Sequence, residues 1–232
     1  MDEISNQTLD TLSCMLVGGG NFSLGTFLYR VRKLEKEFQN KPEVFQDIWH
    51  SKPKWVTKMG RANLVGEPMQ YCFTDQVTPL YECGIVGEDC YAIVQYKVKQ
   101  GKELVGYCVG SEQAVEGLNE TGLINQKIIT DFVVSEFTKP VGEGTEYLYK
   151  VSNVICQNFL DIPFCDAYVY PSVANYKRGW NVAIKSQSAL EKIEFDCMLL
   201  CVFKGFAENK DCLFELKHKA NGIVDGRLQY VF

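Results

Sequence analysis

The brevity and order of the apolar segments constrain this chain most. Strand-length runs recur along it: TFLYRVR from Thr26, PMQYCFT from Pro68, YAIVQYKVK from Tyr91, KELVGYCV from Lys102, DAYVYPS from Asp166, NVAIK from Asn181 and EFDCMLLCVF from Glu194. CLFEL and RLQYVF close the chain. Only two stretches carry a helical pattern of comparable clarity. KIITDFVVSEFTKP ends before Pro140, and TEYLYKVSNVICQNFLD places Tyr147, Val151, Val154, Ile155 and Phe159 on one face at helical spacing. Strands and helices therefore do not alternate one for one, and the C-terminal half is strand-rich. That order excludes a doubly wound nucleotide fold and predicts an α+β domain around one compact core.

Length and charge narrow the class further. With 232 residues, 46% of them hydrophobic and 23% charged, the chain can bury a substantial core as one domain. A formal net charge of −5 argues against broad nucleic-acid binding, which needs a basic surface to displace counterions from phosphates. The longest apolar run outside the N-terminus, CMLLCVF, is far short of the ~20 residues that span a bilayer. The acidic start MDEIS and the short run CMLV lack the pattern of a signal peptide, so the expectation is a cytosolic protein that does not enter a membrane. Ten cysteines occur at irregular spacing without a CxxC, which reads as free thiols and not a disulfide framework. With two histidines in the chain, the spacing offers no metal site.

Local signals set the expected organisation. Residues 1–22 read as a separate N-terminal segment, a short helix followed by a flexible joint at Gly18-Gly19-Gly20. Residues 23–232 read as the domain proper. In TFLYRVR, Arg30 and Arg32 share one face of a strand, with Tyr29 and Val31 on the other. The charged, aromatic stretch KLEKEFQNKPEVFQDIWHSKPKW, punctuated by Pro42 and Pro53, reads as helical pieces and loop. Thr78 reads as an N-cap with Pro79 at the first helical position, which puts Glu82 in the first turn. Neither GxGxxG nor GxxxxGK[ST] is present, and GGGNFSLG precedes a strand where a phosphate loop would follow one.

The segment GRANLVGEPMQYCFTDQVTPLYEC gathers Arg61, Asn63, Tyr71 and Glu82 around one turn and strand. Such groups suit a polar, charged small molecule with a flat ring. They equally suit an ordinary strand and a solvated helix start. Taken with LYRVR, which carries Arg30, and YVYPSVANYKRGWNVAIK, which carries Ser172 and Asn181, the blocks resemble the RES-domain family. That family is named for an arginine, a glutamate and a serine. Its pattern runs from an aromatic-Arg-x-Arg strand through GRxNxxGxPxxY, a Thr-rich helix start and a Glu, to YPSV, a glycine and NxA. The blocks occur here in that order between Phe27 and Lys185, with the strands of 193–232 closing the domain. Leu80-Tyr81 stands where the family often has Ala-Ile, so Tyr81 is expected to narrow the pocket. A Lys177-Arg178 pair precedes Gly179.

The resemblance implies an ADP-ribosyltransferase-like fold: a mixed, mainly antiparallel sheet with flanking helices. It also implies NAD as a substrate and not a cofactor, cleavage of the nicotinamide–ribose bond, and a toxin neutralised by a separate antitoxin with an Xre-type helix-turn-helix. The implied catalytic set is Arg30, Tyr71, Glu82 and Ser172. Arg30, Arg61, Asn63, Tyr71 and Asn181 are the implied NAD-binding set. Chemistry assigns each a part: forked arginines for a diphosphate, a flat tyrosine for nicotinamide, and a carboxylate for positive charge developing on the ribose. Ser172 is a hydrogen-bonding group and not a nucleophile, because no histidine is placed as its base. Asn181 holds either the loop or the substrate. Water, phosphate or a protein as acceptor, a non-catalytic interaction module, and the oligomeric state all stay open at this point.

Overall fold

The computed structural model of the protein describes residues 18–110, 119–208 and 211–231. Its strand-length runs form one ten-stranded sheet in the order β1-β5-β6-β7-β3-β2-β4-β8-β9-β10. The strands are β1 (Gly18–Phe22), β2 (Phe27–Leu34), β3 (Met69–Phe73), β4 (Cys90–Val98), β5 (Leu104–Cys108), β6 (Ala167–Pro171), β7 (Trp180–Lys185), β8 (Ile193–Phe206), β9 (Cys212–Val224) and β10 (Arg227–Val231). Among the described strands only β5 and β6 run parallel. Around the sheet lie α1 (Phe45–Ile48), α2 (Thr78–Glu82), α3 (Glu120–Thr138), α4 (Lys150–Ile155) and α5 (Ser186–Lys192). The α+β class and the mixed, mainly antiparallel sheet agree with the sequence. No helix among the described residues is long and apolar enough to cross a membrane.

Strand alternation sorts side chains onto the two faces. Leu28 and Arg30 lie on one face with Cys72, Val94, Tyr96, Val182 and Met198, which belong to one buried cluster apart from Arg30. Tyr71, Ala183, Tyr168 and Tyr170 lie on the opposite face, beneath Val133, Phe137, Ile155 and Cys156 of the helical layer. A third cluster, built on Val31, Leu80, Tyr91 and Phe203, continues that face. The expected single core is therefore a core on each face of one sheet. Cys72, Cys90, Cys156, Cys165 and Cys201 are free and buried.

Several local readings change. Gly18–Phe22 is no joint: it pairs antiparallel with β5 over five residues. The helix expected before it lies outside the described residues. Val77, not Thr78, is the cap of α2, with Thr78 and Pro79 its first two residues. The capping acceptor is Asp75, whose Oδ1 takes the amides of Val77 at 2.8 Å and Thr78 at 2.7 Å. Since α2 has only five residues, Glu82 is its last one and not part of an N-terminal turn.

The predicted apolar face of TEYLYKVSNVICQNFLD is not the buried face. This stretch winds as a short 3-10 turn, then α4, then a π-wound turn at Cys156–Leu160, so no single period holds along it. Tyr147, Val151 and Val154 are exposed, whereas Ser152 and Asn153 are buried with Ile155. Those two polar side chains face inward because they anchor another loop. Ser152 Oγ donates to Arg61 O at 2.8 Å, and Asn153 Nδ2 donates to Gly60 O at 2.6 Å.

Candidate active site

The sheet parts where the site lies. β2 pairs with β4 over its whole length, and β3 pairs with β7 over all five of its residues. Between them, β2 and β3 share a single bridge, Tyr29 with Phe73. Beyond it the strands diverge, and a cavity of about 330 Å³ opens, lined by Arg30, Trp55, Lys58, Asn63, Met69 and Tyr71 among others. A second cavity of about 390 Å³ shares Arg30, Ser51 and Trp55 with the first and adds Arg32, Asp47 and Trp49. Either volume is within the range of small-molecule sites.

Arg30 stands at the junction of the two cavities. Its Nη1 donates to Trp49 O at 2.8 Å and to Gln70 Oε1 at 3.1 Å, so the guanidinium spans the gap between the parted strands. Among the described residues no carboxylate pairs with Arg30, Arg32 or Arg61. Trp55 is 58% exposed, with Lys54 Nζ 5.2 Å and Lys52 Nζ 5.5 Å from its ring centroid. Trp55 belongs to none of the motif blocks. Its signal is an indole that follows two lysines in HSKPKW, but nothing local says which cavity it lines.

The turn before β3 fixes Tyr71. Its hydroxyl donates to Asn63 Oδ1 at 2.7 Å and accepts from the Ala62 amide at 3.4 Å. Burial is the main cause that pushes this phenol well above its ordinary range, so it stays protonated and can donate. Gly60 closes the turn because a Cβ there would lie 2.4 Å from Asn63 Oδ1 and 2.9 Å from the Tyr71 oxygen. Asn63 is buried and works on Tyr71, with its Nδ2 on Leu64 O at 3.0 Å. Arg61 turns toward the helical layer. Its Nη2 donates to Lys139 O at 2.8 Å, its guanidinium carbon lies 5.1 Å from the Tyr149 ring centroid, and Nη1 is buried without a partner.

Glu82 and Ser172, 90 residues apart in sequence, meet: Ser172 Oγ donates to Glu82 Oε1 at 2.6 Å. Ser172 follows the end of β6 and is fully buried, while Glu82 is exposed at the end of α2. Tyr170 lies on the same face as Tyr71. Burial raises its phenol well above the ordinary value, Tyr71 and Glu82 add to the rise, and Arg61 opposes it. Asn181 is buried in β7, paired with Phe73 and Tyr170, so it belongs to the sheet that carries the site. Tyr81 does not narrow the cavities described above; its ring stacks on Phe206 with centroids 6.4 Å apart.

The arrangement thus comprises an arginine and two flat rings around a cleft, and a hydroxyl-held carboxylate on the Tyr71 face. No group of metal-ligating side chains occurs among the described residues. No protein-family model matches this chain, and a search of curated proteins returns no match.

Proposed function

We propose that this protein cleaves the nicotinamide–ribose bond of NAD, as a RES-type toxin with an ADP-ribosyltransferase-like fold. The observation that carries the reading is the 2.6 Å hydrogen bond between Ser172 and Glu82. It joins two residues that the sequence motifs single out independently. Expulsion of neutral nicotinamide leaves an oxocarbenium-like ribose, and a fixed carboxylate lowers the energy of that state. Glu82 supplies the carboxylate, and the Ser172 hydroxyl limits its orientation. Arg30 offers the diphosphate a guanidinium that no carboxylate neutralises among the described residues, while Tyr71 and Trp55 offer ring faces to the bases. An acidic chain with cations at this cleft suits one diphosphate better than a nucleic-acid strand.

The deciding assay incubates purified protein with NAD, with and without inorganic phosphate, and identifies the products. Nicotinamide release is expected, accompanied by ADP-ribose or its phosphorolysis product. Folded protein that leaves NAD intact in both buffers would overturn the reading. In a bacterial host, expression is expected to slow growth as cellular NAD falls, and co-expression of a separate antitoxin chain should restore both. Normal growth with unchanged NAD at good expression contradicts the toxin role.

Tyr71 gives a sharper check. Tyr71→Phe keeps the ring but leaves the buried Asn63 Oδ1 unpaired, which costs roughly 1–3 kcal/mol of stability. The expected result is a lower Tm with KM for NAD within about threefold of wild type, because ring stacking survives. Tyr71→Ala should also raise KM markedly. Equal KM values for the two variants would remove the ring from substrate binding.

A further inference from the structure

We propose that Asp75, Thr78 and Asn175 form a brace that positions Glu82 through Ser172. The proposal rests on the reading of Glu82 as the group that acts on NAD. Thr78 falls in the Thr-rich helix start of the motif blocks, but none of the three is among the implied catalytic or NAD-binding residues, and each is a positioning residue, acting through others.

The brace is a continuous run of hydrogen bonds. Asp75 Oδ2 accepts from Thr78 Oγ1 at 2.6 Å, and Thr78 Oγ1 accepts from Asn175 Nδ2 at 2.9 Å. The Asn175 amide donates to Ser172 Oγ at 3.2 Å, and Ser172 Oγ donates to Glu82 Oε1 at 2.6 Å. A hydroxyl has one proton to give. Asp75 takes that of Thr78, which leaves Thr78 Oγ1 to accept from Asn175. The Asn175 amide fills the acceptor side of Ser172, which directs its single proton to Glu82. Thr78 and Ser172 are both fully buried, so water does not reach these two hydroxyls.

Two further observations show how closely the loop after β6 is held against α2. A Cβ on Gly179 would lie 1.8 Å from Thr78 Oγ1 and 2.8 Å from Asp75 Oδ2, so only glycine allows this approach. Within the loop, Tyr176 (φ 50°) and Lys177 (φ 63°) are consecutive non-glycine residues in the left-handed region, a conformation that neighbouring contacts must maintain. The Ser172 and Lys177 backbones supply some of them: Lys177 N donates to Ser172 O, and Ser172 N donates to Gly179 O, both at 2.8 Å. Glu82 itself ends a helix, where the macrodipole disfavours a carboxylate, so helix stability does not explain its place.

The test compares Thr78→Val, Thr78→Ser and Asn175→Ala, each alone and with Glu82→Gln, by steady-state NAD kinetics and amide hydrogen exchange. Asn175 is partly exposed, so Asn175→Ala breaks the same link without opening the core. Thr78→Val and Asn175→Ala should lower kcat about tenfold with KM within about twofold, and Thr78→Ser should stay close to wild type. In the Glu82→Gln background the loss should vanish, because the brace acts through Glu82. Exchange at the Asn175 and Lys177 amides should accelerate in Thr78→Val and Asn175→Ala. Unchanged kcat in both variants, or an equal loss in the Glu82→Gln background, would overturn the positioning role. If wild type does not consume NAD, the enzyme reading fails separately, and unchanged exchange in the variants would then overturn the brace.

Discussion

Glu82→Gln is expected to lower NAD turnover by roughly two to three orders of magnitude while leaving Tm almost unchanged. The substitution keeps length and hydrogen-bonding capacity, so Ser172 Oγ still has an acceptor at the end of α2. What is lost is the negative charge that, on the proposed mechanism, opposes the positive charge developing on the ribose. Stability should barely respond, since the side chain is exposed and its helix gains nothing from a carboxylate at its last residue. Kinetics beside a thermal melt separate the outcomes. A folded Glu82→Gln protein with near-normal turnover would remove Glu82 from the mechanism.

The second large effect is expected at Arg30. Arg30→Ala should cost about 10- to 100-fold in kcat/KM, most of it as a higher KM, because charge-assisted hydrogen bonds to phosphate contribute about 1.5–3 kcal/mol. Stability should fall as well. Arg30 Nη1 satisfies Trp49 O and Gln70 Oε1, and Gln70 is fully buried with its Nε2 already unpartnered. Arg30→Lys should recover only part of both effects, because a single ammonium cannot span the gap and face the cleft in the same way. If Arg30→Ala loses stability but keeps its KM for NAD, Arg30 is a strut between the parted strands and not a substrate contact.

The residues divide by the range of the forces that place them. Strand alternation is local, and so TFLYRVR already puts Arg30 and Arg32 on one face, and the short apolar runs already imply an α+β domain; the mainly antiparallel sheet follows only from the family resemblance. Motif order, too, is written in the chain, and its resemblance to the RES pattern singles out Glu82 and Ser172. The amphipathic face drawn through Tyr147, Val151 and Val154 failed for a physical reason. Periodicity assumes that a helix buries its apolar side, but here the Gly60 and Arg61 carbonyls needed donors, and Ser152 and Asn153 turned inward to supply them.

The sequence by itself determined the class of fold, the residues able to bear charge at a site, and the strand that carries Arg30. Tertiary structure alone decided that β2 and β3 part after one bridge, that Arg61 faces Lys139 and Tyr149, and that Trp55 lines the cleft. It also decided that Asn175 meets Thr78, 97 residues away. Local patterns report the period of a backbone, while these placements depend on which distant carbonyls, hydroxyls and rings the packed chain brings within hydrogen-bond reach.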